Sequence, residues 1–203
     1  MPEILLATRN PGKVREIRHR GAALGVRWRS LEAFADVPDA VEDADTFAAN
    51  ARSKALHFAR ATGLLTLADD SGLVVDALGG APGVRSARYA GQPKDDAANN
   101  RKLIANLRGV PPDRRTARFC CAMALVTPEK VLAETTGTVE GLICDEPRGD
   151  NGFGYDPHFL LPELGRTMAE LSREQKHAIS HRGRALRAML AEIGRLFPPA
   201  PAS

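Results

Sequence analysis

The chain of 203 residues carries 28 Lys and Arg against 25 Asp and Glu, a formal net charge of +3, and 43% of its residues are hydrophobic. This composition is typical of a soluble globular protein with enough chain to bury a core. Basic residues are interspersed with acidic ones instead of forming a block, which argues against a nucleic-acid-binding protein. No apolar stretch is long enough to span a bilayer, and Met1 to Lys13 lacks the pattern of a signal peptide, so we expect a cytoplasmic protein with no membrane partner.

The first predicted elements are a strand over Ile4 to Ala7 and a helix over Gly12 to Leu24. A P-loop is excluded at the turn between them, because that motif needs a glycine where Ala7 stands and a Ser or Thr where Val14 stands. Two interpretations of the turn stay open. It is either an anion cradle built from backbone amides and Lys13, or an ordinary connection with a solvated lysine.

Strands and helices continue to alternate. The apolar period over Thr46 to Ala61 predicts a helix, on which Asn50 and Lys54 lie four residues apart and share a face. A lysine in such a position is also typical of plain surface. Further strands are predicted at 26–31, 64–68 and 72–78, and a further helix at 95–107.

Asp69 and Asp70 stand at the predicted end of the strand 64–68, directly before Ser71. Neighbouring residues on a strand point to opposite faces, so one of the two carboxylates can address a given site. From these residues alone an ordinary turn is favoured, because Asp, Ser and Gly are common turn residues.

The two long apolar runs 116–127 and 130–143 are separated only by Pro128 and Glu129, which predicts a hairpin. A hairpin joins antiparallel strands, so the fold class is α/β with a mixed sheet. The three cysteines, Cys120, Cys121 and Cys144, show no C-x-x-C spacing, and we interpret them as structural residues without a function.

The segment "GDNGFGYDP" places glycines around Phe153 and Tyr155. Glycines let the backbone approach a ligand closely, and an aromatic ring can stack on a planar base. A β-bulge or hairpin bend is the structural alternative.

Near the C-terminus, Ser172 and Gln175 form a capping box that predicts a short helix. Ser180 can cap a second helix, whose first turn contains His181 and Arg182. The helix dipole disfavours cations there, so a bound anion is one interpretation and plain surface arginine the other. The apolar stripe of this helix consists of Leu186, Met189, Leu190, Ile193 and Leu196.

Taken together, these segments resemble the inosine triphosphate pyrophosphatase family, also called the Ham1 family. The matching motifs run in order from Leu5 to Leu186: "ATRNPGK", "NARSKA", "ADDSGLVVDALGGAPGVRSARYAG", "NNRKL", "RGDNGFGYDP" and "ELSREQKHAISHRGRAL". The resemblance implies hydrolysis of dITP, ITP and XTP to the monophosphate and pyrophosphate, with Mg²⁺ as cofactor. It also implies an elongated two-lobed α/β fold with a mixed, twisted sheet and flanking helices, and a homodimer. Residues 1–197 would form this domain, with the active-site cleft between its lobes and 198–203 as a disordered tail.

The resemblance further implies the residues of the site. Asp70 matches the proton acceptor and one Mg²⁺ ligand. For the second metal ligand we choose Glu42 over its neighbours Asp43 and Asp45. The implied substrate-binding residues are Thr8, Arg9, Asn10, Pro11, Gly12, Lys13, Asn50, Lys54, Ser71, Phe153, Gly154, Tyr155, Asp156, Lys176, His181 and Arg182.

Three other functions are weighed against this one. A pyrophosphatase of the related Maf type would act on other unusual nucleotides. A nucleotide sensor without turnover is disfavoured, because a pure anion binder has no reason to place carboxylates beside phosphates. A nucleic-acid-binding module is the least favoured, and it would have to show a strongly salt-dependent affinity for DNA or RNA.

Overall fold

The computed structural model describes residues 1–198, so the predicted tail beyond Pro198 lies outside the described residues. The helices are α1 (Pro11–Arg20), α2 (Phe47–Thr62), α3 (Asp96–Asn106), α4 (Arg173–Ile179) and α5 (His181–Leu196). The strands are β1 (Glu3–Leu6), β2 (Arg27–Ser30), β3 (Leu65–Val75), β4 (Thr116–Val126), β5 (Val131–Ile143), β6 (Phe159–Leu161) and β7 (Arg166–Thr167). Within these described residues, no helix has the length and apolar character needed to cross a membrane.

The strands form one mixed sheet in the order β2-β1-β3-β4-β5-β6-β7. β1 pairs in parallel with both β2 and β3. β6 pairs antiparallel with β5 and β7. The predicted hairpin is confirmed, since β4 and β5 are neighbours and the Thr127 amide donates to the Lys130 carbonyl at 2.8 Å. The predicted α/β class with a mixed sheet is therefore correct.

The prediction of two separate strands around "ADDSG" is wrong. Leu65 to Val75 form one continuous strand of 11 residues, so Asp69 and Asp70 lie in its interior instead of at a strand end or in a turn. β3 lies between β1 and β4 in the sheet. Pairing on both edges stabilises extended backbone, and this tertiary contribution outweighs the turn preference of Asp, Ser and Gly.

The first helix is shorter than predicted. α1 ends at Arg20, Gly21 is its C-cap, and 22–24 form a separate turn of 3-10 helix. A Cβ atom at Gly21 would lie 2.5 Å from the Trp28 ring, so only glycine fits there. Close packing of Trp28 on the helix end is a tertiary contact that the helical pattern does not contain.

The chain divides into two compact units. The first unit contains Met1–Asp70, Ala122–Thr136 and the described residues from Ala185 onward, and the second contains Ser71–Cys121 and Gly137–Arg184. Each has its own core. Leu5, Ala55, Phe58 and Ala124 belong to that of the first unit. The core of the second unit includes Leu73, Leu103, Phe159 and Met168.

Candidate active site

The turn after β1 is organised by one asparagine. The Asn10 side chain caps α1 by accepting from the amides of Gly12 (2.8 Å) and Lys13 (3.3 Å). The Thr8 hydroxyl in turn accepts from the Asn10 amide at 3.2 Å. Two of the amides that the anion-cradle interpretation would offer to a phosphate are thus held in place by a carboxamide at the helix N-terminus.

Lys13 is not a solvated surface lysine. Its ammonium group contacts both carboxylate oxygens of Asp69, at 2.8 and 3.0 Å. The two side chains are only 20% and 7% exposed. By contrast, Arg9 contacts Asp39 and the Val37 carbonyl in an exposed position. Of the basic residues in this turn, Lys13 is therefore the one with a defined, largely buried position.

α2 presents two polar side chains to the acidic residues of the first unit. Asn50, which is 1% exposed, donates from Nδ2 to Asp70 at 3.0 Å and accepts on Oδ1 from the Ala44 amide at 2.9 Å. Lys54 lies one helical turn further and contacts Glu42 at 2.7 Å. A single face of α2 therefore holds Asp70 and the segment that begins with Glu42.

The donor set suits a hard divalent cation. Mg²⁺ binds oxygen ligands, and it commonly uses one or two carboxylates together with waters and substrate phosphates. Glu42 and Asp70 supply two carboxylates at one helix face. Residues 1–198 contain no group of three or more His, Cys, Asp and Glu residues arranged to hold a metal. The arrangement fits an ion that takes its other ligands from water and substrate.

In the second unit, Phe153 is an exposed aromatic ring flanked by cations. Its exposed fraction is 55%. The Lys176 ammonium lies 5.1 Å from the ring centroid and the Arg182 guanidinium carbon lies 5.8 Å from it. An exposed ring beside two cations can stack on a planar base while the cations attract an anionic or carbonyl-bearing ligand.

The loop that carries Phe153 is held by a buried carboxylate. Asp156 is 3% exposed, accepts from the Phe153 amide at 2.8 Å and forms an ion pair with Lys176. Gly152 has φ +86°, and a Cβ atom there would collide with the Asp156 carboxylate. The glycine-rich sequence is thus explained by the close approach of the loop backbone to Asp156.

Tyr155 points into the protein. It is 5% exposed, and its hydroxyl donates to the Ser86 carbonyl at 2.8 Å. Burial raises the pKa of Tyr155 above its ordinary value of 10.0, and the nearby Tyr89 and Asp96 raise it further. The phenol therefore stays protonated and fixes one side of the loop.

Two predicted site residues that are far apart in sequence meet in the second unit. The Arg182 guanidinium donates to the Ser71 hydroxyl at 2.9 Å. His181, beside Arg182, is 8% exposed and stacks on Phe119 with ring centroids 4.9 Å apart. The predicted cap is confirmed, because the Ser180 hydroxyl accepts from the Gly183 amide at 3.1 Å. The first turn of α5 therefore holds Arg182 at Ser71 and His181 against an aromatic ring.

The predicted residues thus fall into two groups, one in each unit. Sequence reasoning missed three partners: Asp69, which holds Lys13, and Asp96 and Asn100, which contact the Gly154 backbone. The adjacent Asp69 and Asp70 were visible as a pair, and Asn100 stands within "NNRKL". Neither pattern in the sequence indicates that Asp69 contacts Lys13 or that Asn100 contacts Gly154, because each contact joins residues more than 50 positions apart.

Three comparisons with known proteins match this chain to one protein family over nearly its whole length. The model of the Ham1 family matches residues 4–192. The dITP/XTP pyrophosphatase of Geobacillus kaustophilus is 54% identical over 186 residues, which cover 92% of this chain and 91% of that protein. The dITP/XTP pyrophosphatase of Desulforamulus reducens is 50% identical over 195 residues, 96% of this chain and 97% of that protein. A solved HAM1 protein from Coxiella burnetii has a TM-score of 0.91 at 42% identity and covers 96% of this chain and 100% of its own. The chain therefore belongs to the Ham1 family.

Proposed function

We propose that this protein hydrolyses dITP, ITP and XTP to the monophosphate and pyrophosphate, with Mg²⁺ as its cofactor. Relatives named dITP/XTP pyrophosphatase, 54% and 50% identical over nearly the whole chain, support this reaction. The structural observation that carries the proposal is the face of α2, where Asn50 contacts Asp70 and Lys54 contacts Glu42. Two carboxylates and a lysine at one helix face support the proposal that a metal and phosphates bind together there.

The charge of the substrate explains the lysines. A triphosphate carries roughly four negative charges, and phosphoryl transfer is accelerated mainly by positioning and by neutralising charge. Lys13 and Lys54 are 20% and 15% exposed and are each held by a carboxylate. A paired lysine keeps a defined position, so it can meet a phosphate without a large loss of side-chain freedom.

Asp70 orients the attacking water and accepts its proton. The hydrogen bond from Asn50 to Oδ2 fixes the rotation of this carboxylate. Water attacks the α-phosphorus, the bond from that phosphorus to its bridging oxygen breaks, and pyrophosphate leaves. Mg²⁺, when bound, polarises the phosphate and lowers the pKa of bound water. Glu42 and Asp70 would hold it.

The second unit recognises the base. Phe153 stacks on the purine, and backbone amides in the first turn of α5, with Lys176, His181 or Arg182, donate to the oxygen at position 6. Adenine carries an amino group there, so a donor would face a donor at a cost of about 1–3 kcal/mol for each unsatisfied group. We therefore expect ITP and XTP to be preferred strongly over ATP, and less strongly over GTP, which shares the 6-oxo group.

The proposal extends to assembly and location. We propose a cytoplasmic homodimer that acts on free nucleotides, without nucleic-acid or membrane partners. Residues 1–197 are proposed to act as one functional domain. The near balance of 28 basic and 25 acidic residues is compatible with a free nucleotide as the substrate.

The deciding experiment is turnover of dITP, ITP, XTP, GTP and ATP, with the products separated and identified. We expect monophosphate and pyrophosphate from the first three, and no turnover when Mg²⁺ is chelated. Release of orthophosphate and a diphosphate would contradict the proposal even at a high rate. Equal kcat/KM for ATP and ITP would contradict the proposed base recognition.

The same panel locates the base contacts when it is repeated with Arg182→Ala and His181→Ala. A smaller ratio of kcat/KM between ITP and ATP would assign the altered residue to base recognition. A lower rate at an unchanged ratio would assign it to phosphate binding instead.

A further inference from the structure

Gly154 is the point where the loop carrying Phe153 contacts α3. Its amide donates to Asp96 Oδ2 at 2.9 Å, and its carbonyl accepts from Asn100 Nδ2 at 2.9 Å. Asp96 and Asn100 are four residues apart on α3 and thus lie on one face, one turn apart. Both polar backbone groups of Gly154 are therefore bound by two side chains of a single helix.

These contacts limit the movement of Phe153. The backbone amide of Phe153 donates to the Asp156 carboxylate at 2.8 Å. The next residue, Gly154, is held by its hydrogen bond to Asp96 of α3. Its ring is nevertheless 55% exposed. An exposed ring on a fixed backbone is a preorganised binding surface, because little conformational freedom is lost when a ligand stacks on it.

α3 is itself well anchored. Asp95 caps the helix by accepting from the Ala98 amide at 3.0 Å. Asn99, 2% exposed, accepts from the Ala90 amide at 2.6 Å and donates to the Ala87 carbonyl at 3.2 Å. Leu103 is fully buried in the core of the second unit. The helix can therefore act as a rigid support.

The second polar atom of Asn100 argues against a purely stabilising role. Its Oδ1 is buried and has no hydrogen-bond partner within residues 1–198. A buried acceptor without a partner is destabilising, which offsets the gain from the bond to Gly154. Asn100 therefore contributes little net stability to the fold. Its Nδ2 group nevertheless supplies the donor that orients the Gly154 carbonyl.

We propose that Asp96 and Asn100 are positioning residues for base recognition, which hold the Phe153–Gly154 turn so that the Phe153 ring is preset to stack on a purine. The inference rests on the proposed function, since the purine is the ligand of that ring. Neither residue touches the reacting phosphates in this scheme. Loss of either contact weakens binding of the base and leaves the chemical step unchanged.

The chemistry of the two contacts allows a sharp test. Position 96 must accept a hydrogen bond, so Asp96→Asn should retain function and Asp96→Ala should lose it. Position 100 must donate, so Asn100→Asp should behave like Asn100→Ala despite its similar size. We expect Asp96→Ala, Asn100→Ala and Asn100→Asp to raise KM for ITP about 3- to 10-fold with kcat within about twofold, as for loss of one hydrogen bond in binding.

Two inhibitors separate the base from the phosphates. The inhibition constant of IMP should rise by the same factor as KM, while that of inorganic tripolyphosphate stays unchanged. Asn106→Ala is the matched control, because Asn106 lies on the same helix but donates to the Tyr89 hydroxyl at 2.8 Å. This control should leave both inhibition constants and KM unchanged, and thermal unfolding is measured for every variant.

An unchanged KM for ITP in Asp96→Ala and Asn100→Asp would overturn the inference. An equal rise in the inhibition constants of IMP and tripolyphosphate would do the same. So would a rise of KM in Asp96→Asn as large as that in Asp96→Ala. The wild-type product assay is read first. If the wild type releases no pyrophosphate from ITP or XTP, the proposed function fails. If the wild type releases pyrophosphate and the variants have the same KM for ITP as the wild type, only the positioning inference fails.

Discussion

At the scale of single residues, the adjacent carboxylates of β3 have different partners. Asp69 pairs with Lys13, and Asp70 accepts from Asn50. Successive side chains of a strand point to opposite faces, so the two carboxylates cannot exchange these partners. The difference between them can be measured by changing each to its neutral isostere.

We predict that Asp70→Asn lowers kcat by about 10²- to 10⁴-fold, the range for loss of a general base, while the fold is kept. The change preserves size but removes the charge that accepts a proton and holds a metal. Initial rates of pyrophosphate release from ITP, with circular dichroism as the check of folding, measure the effect. Asp36→Asn removes one exposed carboxylate from the same unit and serves as the control. A near-normal rate in Asp70→Asn together with an inactive Asp69→Asn would show that we chose the wrong carboxylate.

Tyr155 gives a prediction about alkaline pH. Its pKa is raised by burial above the ordinary 10.0, so the folded state favours the protonated phenol. The contribution of this phenol to stability is complete below about pH 10 and is lost as the pH rises from there towards the folded-state pKa. We expect the free energy of unfolding, measured in urea, to fall more steeply above pH 10 in the wild type than in Tyr155→Phe.

At lower pH the same variant should be less stable by about 1 kcal/mol, because the Ser86 carbonyl loses its donor. Tyr89→Phe removes the other tyrosine and should leave the steep alkaline fall in place. An identical pH dependence in wild type and Tyr155→Phe would refute the assignment.

At the scale of elements, caps decide where short helices form. α4 has 7 residues and begins with the predicted capping box, in which the Ser172 hydroxyl accepts from the Gln175 amide and the Gln175 side chain accepts from the Ser172 amide. So short a helix is not stable on its own propensity and depends on its cap and its packing. Lys176 lies on this helix, so the cap also positions a predicted substrate contact.

We predict that Ser172→Ala lowers the free energy of unfolding by about 1 kcal/mol, the usual cost of losing an N-cap. KM for ITP should rise, because the helix that carries Lys176 becomes less well ordered. Chemical denaturation and steady-state kinetics measure the two effects. Ser53→Ala is the matched control, since Ser53 is exposed within α2 and alanine is the better helix former there. Equal stability of Ser172→Ala and the wild type would show that the cap contributes little.

At the scale of the whole molecule, each of the two compact units has a core of its own among the described residues. The core of the first unit is rich in alanine, with Ala51, Ala55 and Ala59 of α2 all buried. The core of the second unit contains larger side chains, such as Phe119 and Phe159, whose ring centroids are 4.4 Å apart. Small residues on α2 let the helix lie close to its neighbours, which keeps Asn50 within reach of Asp70.

The proposed homodimer is also tested at this scale. We predict that light scattering at micromolar concentration returns the mass of two chains, with no change on addition of ITP and Mg²⁺. This expectation rests on the resemblance of the motifs alone, since no heptad pattern in the sequence predicts an interface. A mass of one chain at every concentration up to about 100 micromolar would contradict the dimer, and a known monomer of similar size provides the calibration.

The sequence by itself determined the features that depend on near neighbours. The capping box at Ser172, the hairpin at Pro128 and Glu129, and the period of α2 are local signals, and each appears in the structure close to its predicted bounds. A cap or a turn involves residues within four positions, so its free energy is set by the adjacent sequence. The motifs in chain order also identified the family.

Only the tertiary structure decided what joins distant positions. It made β3 continuous through "ADDSG", ended α1 at Arg20 with Gly21 packed against Trp28, and paired Lys13 with Asp69 over 56 positions. It also set Gly154 on Asp96 and Asn100 of α3. Such contacts depend on strand pairing and close packing summed over the folded chain, which outweigh local preferences of a fraction of a kcal/mol to about 1 kcal/mol per residue.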